Sequence, residues 1–166
     1  ATALNANTTG TQNTAVGRDA LTTNVTGNYG TAVGYRALGT TTAGNNTAVG
    51  HDALFATTTG DANTAVGKNA LAANTTGSKH TATGYKALYS NTTAERNTAY
   101  GFECMRDNTT GSYNTAYGDQ ALYTNTTGTY NVAIGRYALI YNTTASYNTA
   151  VGTSALQANT TGHNHT

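Results

Sequence analysis

The chain has 166 residues, a formal net charge of +1, only 9% charged side chains, 19 Gly, and neither Pro nor Trp. So little charge leaves no basic stripe to neutralise phosphates, which argues against nucleic acid as a partner, and no apolar run approaches the ~18 residues of a membrane span. One cysteine, Cys104, rules out an intrachain disulfide and leaves no Cys-based zinc site.

In chain order, residues 1–12 read as a partial coil. Units close to N-T-A-V-G-x-x-A-L-x-x-N-T-T-G-x-x then open at Asn13, Gly30, Asn46, Asn63, His80, Asn97, Asn114, Asn131 and Asn148, with the start of a further coil at 165–166. The period is 17 residues, and the unit at Gly30 falls one residue short through the Gly39 to Gly44 stretch. A repeat this short cannot bury its own apolar groups, so its copies must stack. The expected fold is therefore an all-β parallel β-solenoid (β-roll), a single domain over 1–166, of nine to ten coils. Both ends cut through a coil, which suggests a length of a longer fibre or a subunit that stacks end to end.

In each unit the third position is Ala (Ala15 through Ala150) and the fifth is Gly. Strand alternation sends this Ala to one face and its two neighbours to the other. The outward fourth position carries Val16, Val33, Val49, Val66, Thr83, Tyr100, Tyr117, Ile134 and Val151. A core of one Leu and two Ala per coil is lean, so this second apolar face is expected to meet another subunit through Val16, Val33, Val49, Val66, Tyr100, Tyr117, Ile134 and Val151, with a lateral homotrimer as the preferred closure. The eighth and ninth positions, Ala20-Leu21 through Ala155-Leu156, supply the second apolar element, with Cys104 and Met105 filling those slots in one unit. Two Gly-marked corners leave room for two or three short strands, and Cys104 reads as a buried thiol.

Asn at the first position and again at the twelfth suggests amide ladders running from rung to rung. The twelfth position also opens an N-x-T sequon in most units, and two more open at Asn45 and Asn164, so a column of N-glycans at Asn7, Asn24, Asn45, Asn74, Asn91, Asn108, Asn125, Asn142, Asn159 and Asn164 stands against the plainer reading of a corner motif. Every charge falls at the sixth, seventh, tenth, eleventh, sixteenth or seventeenth position, in the predicted solvent-facing turns. Tyr113, Tyr130 and Tyr147 share the seventeenth position, and Tyr89, Tyr123 and Tyr141 lie on the opposite side. Such rows either contact glycans or simply stack on one another.

No catalytic constellation is present: the four His are scattered, no carboxylate pair recurs, no Gly-Lys-Ser/Thr follows a glycine loop, and the Asp pattern of a calcium-binding roll is missing. The expectation is therefore a protein that is not an enzyme, with no cofactor and no metal.

At N-T-A-V-G and A-L-x-x-N-T-T-G the chain resembles the repeat shafts of phage and large-virus tail-fibre proteins. More loosely, it is similar to the head domains of trimeric autotransporter adhesins. The latter resemblance implies a β-roll, three chains associating laterally, and attachment to a host surface. The reading that follows is a structural fibre or adhesin segment on a virion or cell surface, with itself and surface glycans as partners and no membrane insertion. Two alternatives stay open: a head-to-tail extracellular filament, and an ice-binding solenoid with Thr rows.

Overall fold

The computed structural model describes residues 2–166. Its strands are β1 (Thr14–Val16), β2 (Thr31–Val33), β3 (Thr47–Val49), β4 (Thr64–Val66), β5 (Thr81–Thr83), β6 (Thr98–Tyr100), β7 (Thr115–Tyr117), β8 (Val132–Ile134) and β9 (Thr149–Val151). They form one nine-stranded sheet in sequence order, every neighbour parallel. Each unit contributes one strand and returns to the next rung, so the chain is a parallel β-solenoid. Ala15 sits beside Ala32, Ala48 beside Ala65, and the same register continues to Ala150. The short unit keeps that register, because Thr31 still pairs with Thr47; its missing residue is absorbed where Gly44 lies against the Asn28 backbone.

The interior consists of stacked identical residues. Ala32, Ala48 and their counterparts point inward from the strands, and a Leu column from Leu21 to Leu139, with Met105 in one slot, fills the space opposite. Cys104 is fully buried in its Ala slot, where its thiol donates to the Ala116 carbonyl at 3.3 Å and desolvation pushes its pKa up to about 12.

The Ala-Leu segment differs from the expected second strand. In each coil a turn is closed by the eighth-position N–H and the fifth-position carbonyl (Ala70 to Gly67, 3.3 Å), and the ninth residue then adopts a left-handed backbone, as at Leu71 with φ 51°. The Leu71 N–H donates to Ala87 C=O of the next coil at 3.0 Å, while Asn69 N–H donates backwards to His51 C=O at 2.9 Å. This alternation satisfies the backbone without an extended conformation. A left-handed Leu is uncommon because its Cβ crowds the carbonyl, at a cost of about 1–2 kcal/mol, and it persists here because the rung-to-rung bonds and the buried side chain over-determine it.

Two Asn ladders lock the coils. At the first position, Asn63 N–H donates to Asn46 Oδ1 at 3.0 Å, while Asn63 Nδ2 donates to the Gly77 carbonyl of its own corner at 3.0 Å. At the twelfth, Asn108 Nδ2 donates to Asn91 Oδ1 (3.2 Å) and Gly111 C=O (2.9 Å), and Asn108 Oδ1 accepts from Asn125 Nδ2 (2.7 Å). Thr41 and Thr57 interrupt the second ladder, both buried in the Asn slot. The corner Gly that follows has no positive φ; at Gly111 a Cβ would crowd the Gly128 carbonyl oxygen of the next coil and lie 2.6 Å from Asn108 Oδ1, whereas Ala94 and Ala145 fill the same position in their own coils. Among the described residues no buried side-chain polar atom lacks a partner, as a dry interior requires.

His80 replaces Asn in the first ladder and reproduces its bonding. Its Nδ1 accepts the Asn97 N–H at 3.1 Å and its Nε2 donates to Ala94 C=O at 2.7 Å. That pattern fixes the neutral Nε2–H tautomer, and burial lowers the pKa of the ring.

Candidate functional site

The described residues form no cavity or cleft, so binding there must use open faces. The most regular is the outer face of the sheet, built by strand alternation: the central Ala turns inward and both neighbours turn outward. One column runs Thr14, Thr31, Thr47, Thr64, Thr81, Thr98, Thr115, Val132 and Thr149, and the other holds the fourth-position residues. Of the residues expected at a subunit interface, Val16, Val33, Val66, Tyr100, Tyr117, Ile134 and Val151 are exposed and Val49 is half-buried. They occupy eight of the nine rungs, Thr83 standing in the column at β5, and the column is free of charge from end to end.

Hydroxyl use separates the Thr columns. At the thirteenth position the hydroxyl is consumed internally, Thr75 Oγ1 donating to Thr92 C=O (3.0 Å) and Thr109 Oγ1 to Thr126 C=O (3.0 Å). On the sheet face the Thr hydroxyls have no partner within the protein among the described residues; they are left to solvent. The repeat alone does not distinguish these columns, because every one of them is simply Thr at a period of 17.

The tyrosine rows are stacked. Tyr113 and Tyr130 lie 4.8 Å apart with planes 6° from parallel, and Tyr130 and Tyr147 lie 5.1 Å apart at 4°. Arg96 caps the row, its guanidinium 5.5 Å from the Tyr113 centroid. Ring faces are therefore spent on one another, leaving edges and hydroxyls outward. A sugar ring stacks on an open aromatic face, so the glycan contact expected at Tyr113, Tyr130 and Tyr147 loses its main surface at Tyr113 and Tyr130. Tyr100 and Tyr117 stack in the same way at 4.8 Å. On the far side, Lys86 lies over Tyr89 and Arg106 over Tyr123, while Tyr141 is 51% exposed with no stacked ring or overlying cation among the described residues.

The sequons resolve by burial. Asn24, Asn74, Asn91, Asn108, Asn125 and Asn142 are buried with their amides committed to the ladder. A folded coil has no room for a glycan there, which favours the corner-motif reading at these six residues. Asn7 and Asn159 are half-buried with their amides bonded to the Gly10 and Gly162 carbonyls, and Asn45 and Asn164 are exposed.

Charges sit in the turns and pair locally: Arg36 with Asp52 at 2.7 Å, Arg106 with Asp107 at 2.8 Å, and Arg136 with Asp119 at 3.4 Å. Among the described residues no group of three or more His, Cys, Asp or Glu could hold a metal ion, and no helix is long and apolar enough to cross a membrane.

These features define a repeat protein of the parallel β-solenoid class. Compared with known proteins, the chain matches no family model, no curated protein and no solved structure.

Proposed function

We propose that this chain is a structural segment of a virion-surface or extracellular fibre: a stiff spacer that associates laterally with copies of itself. The observation that carries this reading is the single uninterrupted sheet of nine rungs, locked by buried amide ladders and offering faces instead of pockets. At about 4.8 Å per rung the described coils span roughly 40 Å. Lateral association is best supported at the C-terminal half of the sheet face, where Tyr100, Tyr117, Ile134 and Val151 are 40–67% exposed. Large apolar side chains in a charge-free strip match the composition of an interface centre. Contact with surface glycans is supported at Tyr141, which is half exposed and is neither stacked nor capped by a cation among the described residues.

Mass measurement in solution combined with electron microscopy tests this. A discrete trimer of short rods is expected, and Tyr117→Asp with Ile134→Asp should dissociate it without changing the β-sheet spectrum of the chain. Open-ended filaments would support the head-to-tail alternative instead. A stable monomer with both side chains exposed would remove the lateral interface.

A further inference from the structure

The N-terminal half of the sheet face differs from the half used above. Rungs β1 to β5 present Thr14 with Val16, Thr31 with Val33, Thr47 with Val49, Thr64 with Val66, and Thr81 with Thr83, paired rung to rung without a slip. Rungs repeat about every 4.8 Å and alternate residues along a strand about every 6.6–7 Å, so these ten side chains make a small two-dimensional lattice. Every one is β-branched, which restricts χ1 and keeps the lattice stiff. Neither column contains a charge or an aromatic ring in this half. The Thr hydroxyls are unbonded, in contrast to Thr58 and Thr75 of the corner, whose hydroxyls are spent on the next coil's carbonyls.

The lattice restricts what could bind it. A small soluble ligand needs a concave site, and the described residues form none. A polyanion needs cationic side chains. A sugar needs open aromatic faces. An ordinary globular surface has no two-dimensional period to match. Crystalline water does: its oxygen positions repeat on a similar scale in two directions, methyl groups order the water around them, and free hydroxyls can join its hydrogen-bond network. We propose that the Thr/Val face of rungs β1 to β5 is an ice-binding surface. The face is interrupted at β6 by Tyr100, which stands 48% exposed in the Val column, so the site is about 20 Å long. It goes beyond the fibre reading and uses a different half of the sheet.

The test uses the full chain on a cooled stage. Wild-type protein should facet growing ice crystals, show a freezing hysteresis gap and partition into a slowly grown ice front. Thr47→Lys with Thr64→Lys, on the exposed face and away from any internal hydrogen bond, should lose all three effects with an unchanged thermal melt. Thr76→Lys with Thr93→Lys, in the exposed corner column, should retain them. Ice growth unaltered by the wild type overturns the proposal, as do face variants that behave like wild type or corner variants that lose the effects equally. Oligomer mass, measured alongside, keeps the two readings separate: loss of the trimer with ice shaping intact removes only the lateral interface, and a trimer without ice shaping removes only the ice surface.

Discussion

At the residue scale, His80 shows what one slot of the ladder demands. The position needs an acceptor toward the next coil's N–H and a donor toward its own corner carbonyl, and a neutral imidazole supplies both. Protonation would turn Nδ1 into a donor facing the Asn97 N–H and would place a charge in a dry interior. Burial holds the folded-state pKa of His80 below its ordinary value, whereas the unfolded chain binds the proton near pH 6.5. The unfolded state thus takes up more protons as pH falls, so stability is full above about pH 6.5 and declines as pH drops through that range toward the folded-state pKa. His80→Asn restores the residue of the neighbouring rungs and removes this term. Urea unfolding at pH 7.5 and pH 5 should show a larger loss for wild type than for the variant. The difference between the two proteins isolates His80 from the exposed His51, His163 and His165, which both share. Equal losses would show that His80 does not titrate across this range.

At the element scale, the Asn ladders hold each corner to its neighbours. Asn108→Ala would remove a bond from each of three buried groups at once: Asn91 Oδ1 loses its donor, while Asn125 Nδ2 keeps the Gly128 carbonyl and the Gly111 carbonyl keeps Asn97 Nδ2. Each buried group left without a partner costs about 1–3 kcal/mol, partly relieved by its remaining bonds, so a loss of about 3 kcal/mol in urea unfolding is expected. Asn108→Thr should cost less, because Thr57 occupies the same slot natively and places its Oγ1 3.4 Å from Asn74 Nδ2. The ladders, the inward Ala column and the Leu column were legible in the sequence, since a strict period places like residues on like rungs. The left-handed backbone at Leu71 and its equivalents was not, because Leu carries no preference for positive φ; that conformation comes from the tertiary register. The tyrosine stack was only half legible. The period brings Tyr113, Tyr130 and Tyr147 into one row, but whether a ring turns its face to its neighbour or to solvent depends on the rotamer. On the sheet face the outward columns could be read from alternation, whereas the free hydroxyls of Thr47 and Thr64 emerged only once the corner hydroxyls were seen to be bonded.

At the scale of the whole molecule, each coil meets only the coils before and after it, so stability is close to a sum of coil and nearest-neighbour terms. A deletion is then tolerated when it removes a whole period and keeps the columns aligned. Removing residues 114–130 joins Tyr113 to Asn131, and the Asn ladders, the inward Ala column and the apolar ninth-position column then close on residues of their own kind. Asn97 Oδ1, which accepts from Asn114 N–H at 2.8 Å, would accept from Asn131 N–H; Met105, whose N–H donates to Ala121 C=O at 3.0 Å, would donate to Ala138. Tyr113 would stack on Tyr147 in place of Tyr130. The shortened chain should unfold cooperatively, with a denaturant slope lower by about a tenth, since that slope follows the surface exposed on unfolding. Removing only residues 114–121 is the contrasting case: it shifts Leu and Asn out of their columns, buries unmatched polar groups and leaves the Leu column broken. That chain should show no cooperative transition. If both deletions fold equally well, rung-to-rung register is not what holds this solenoid together.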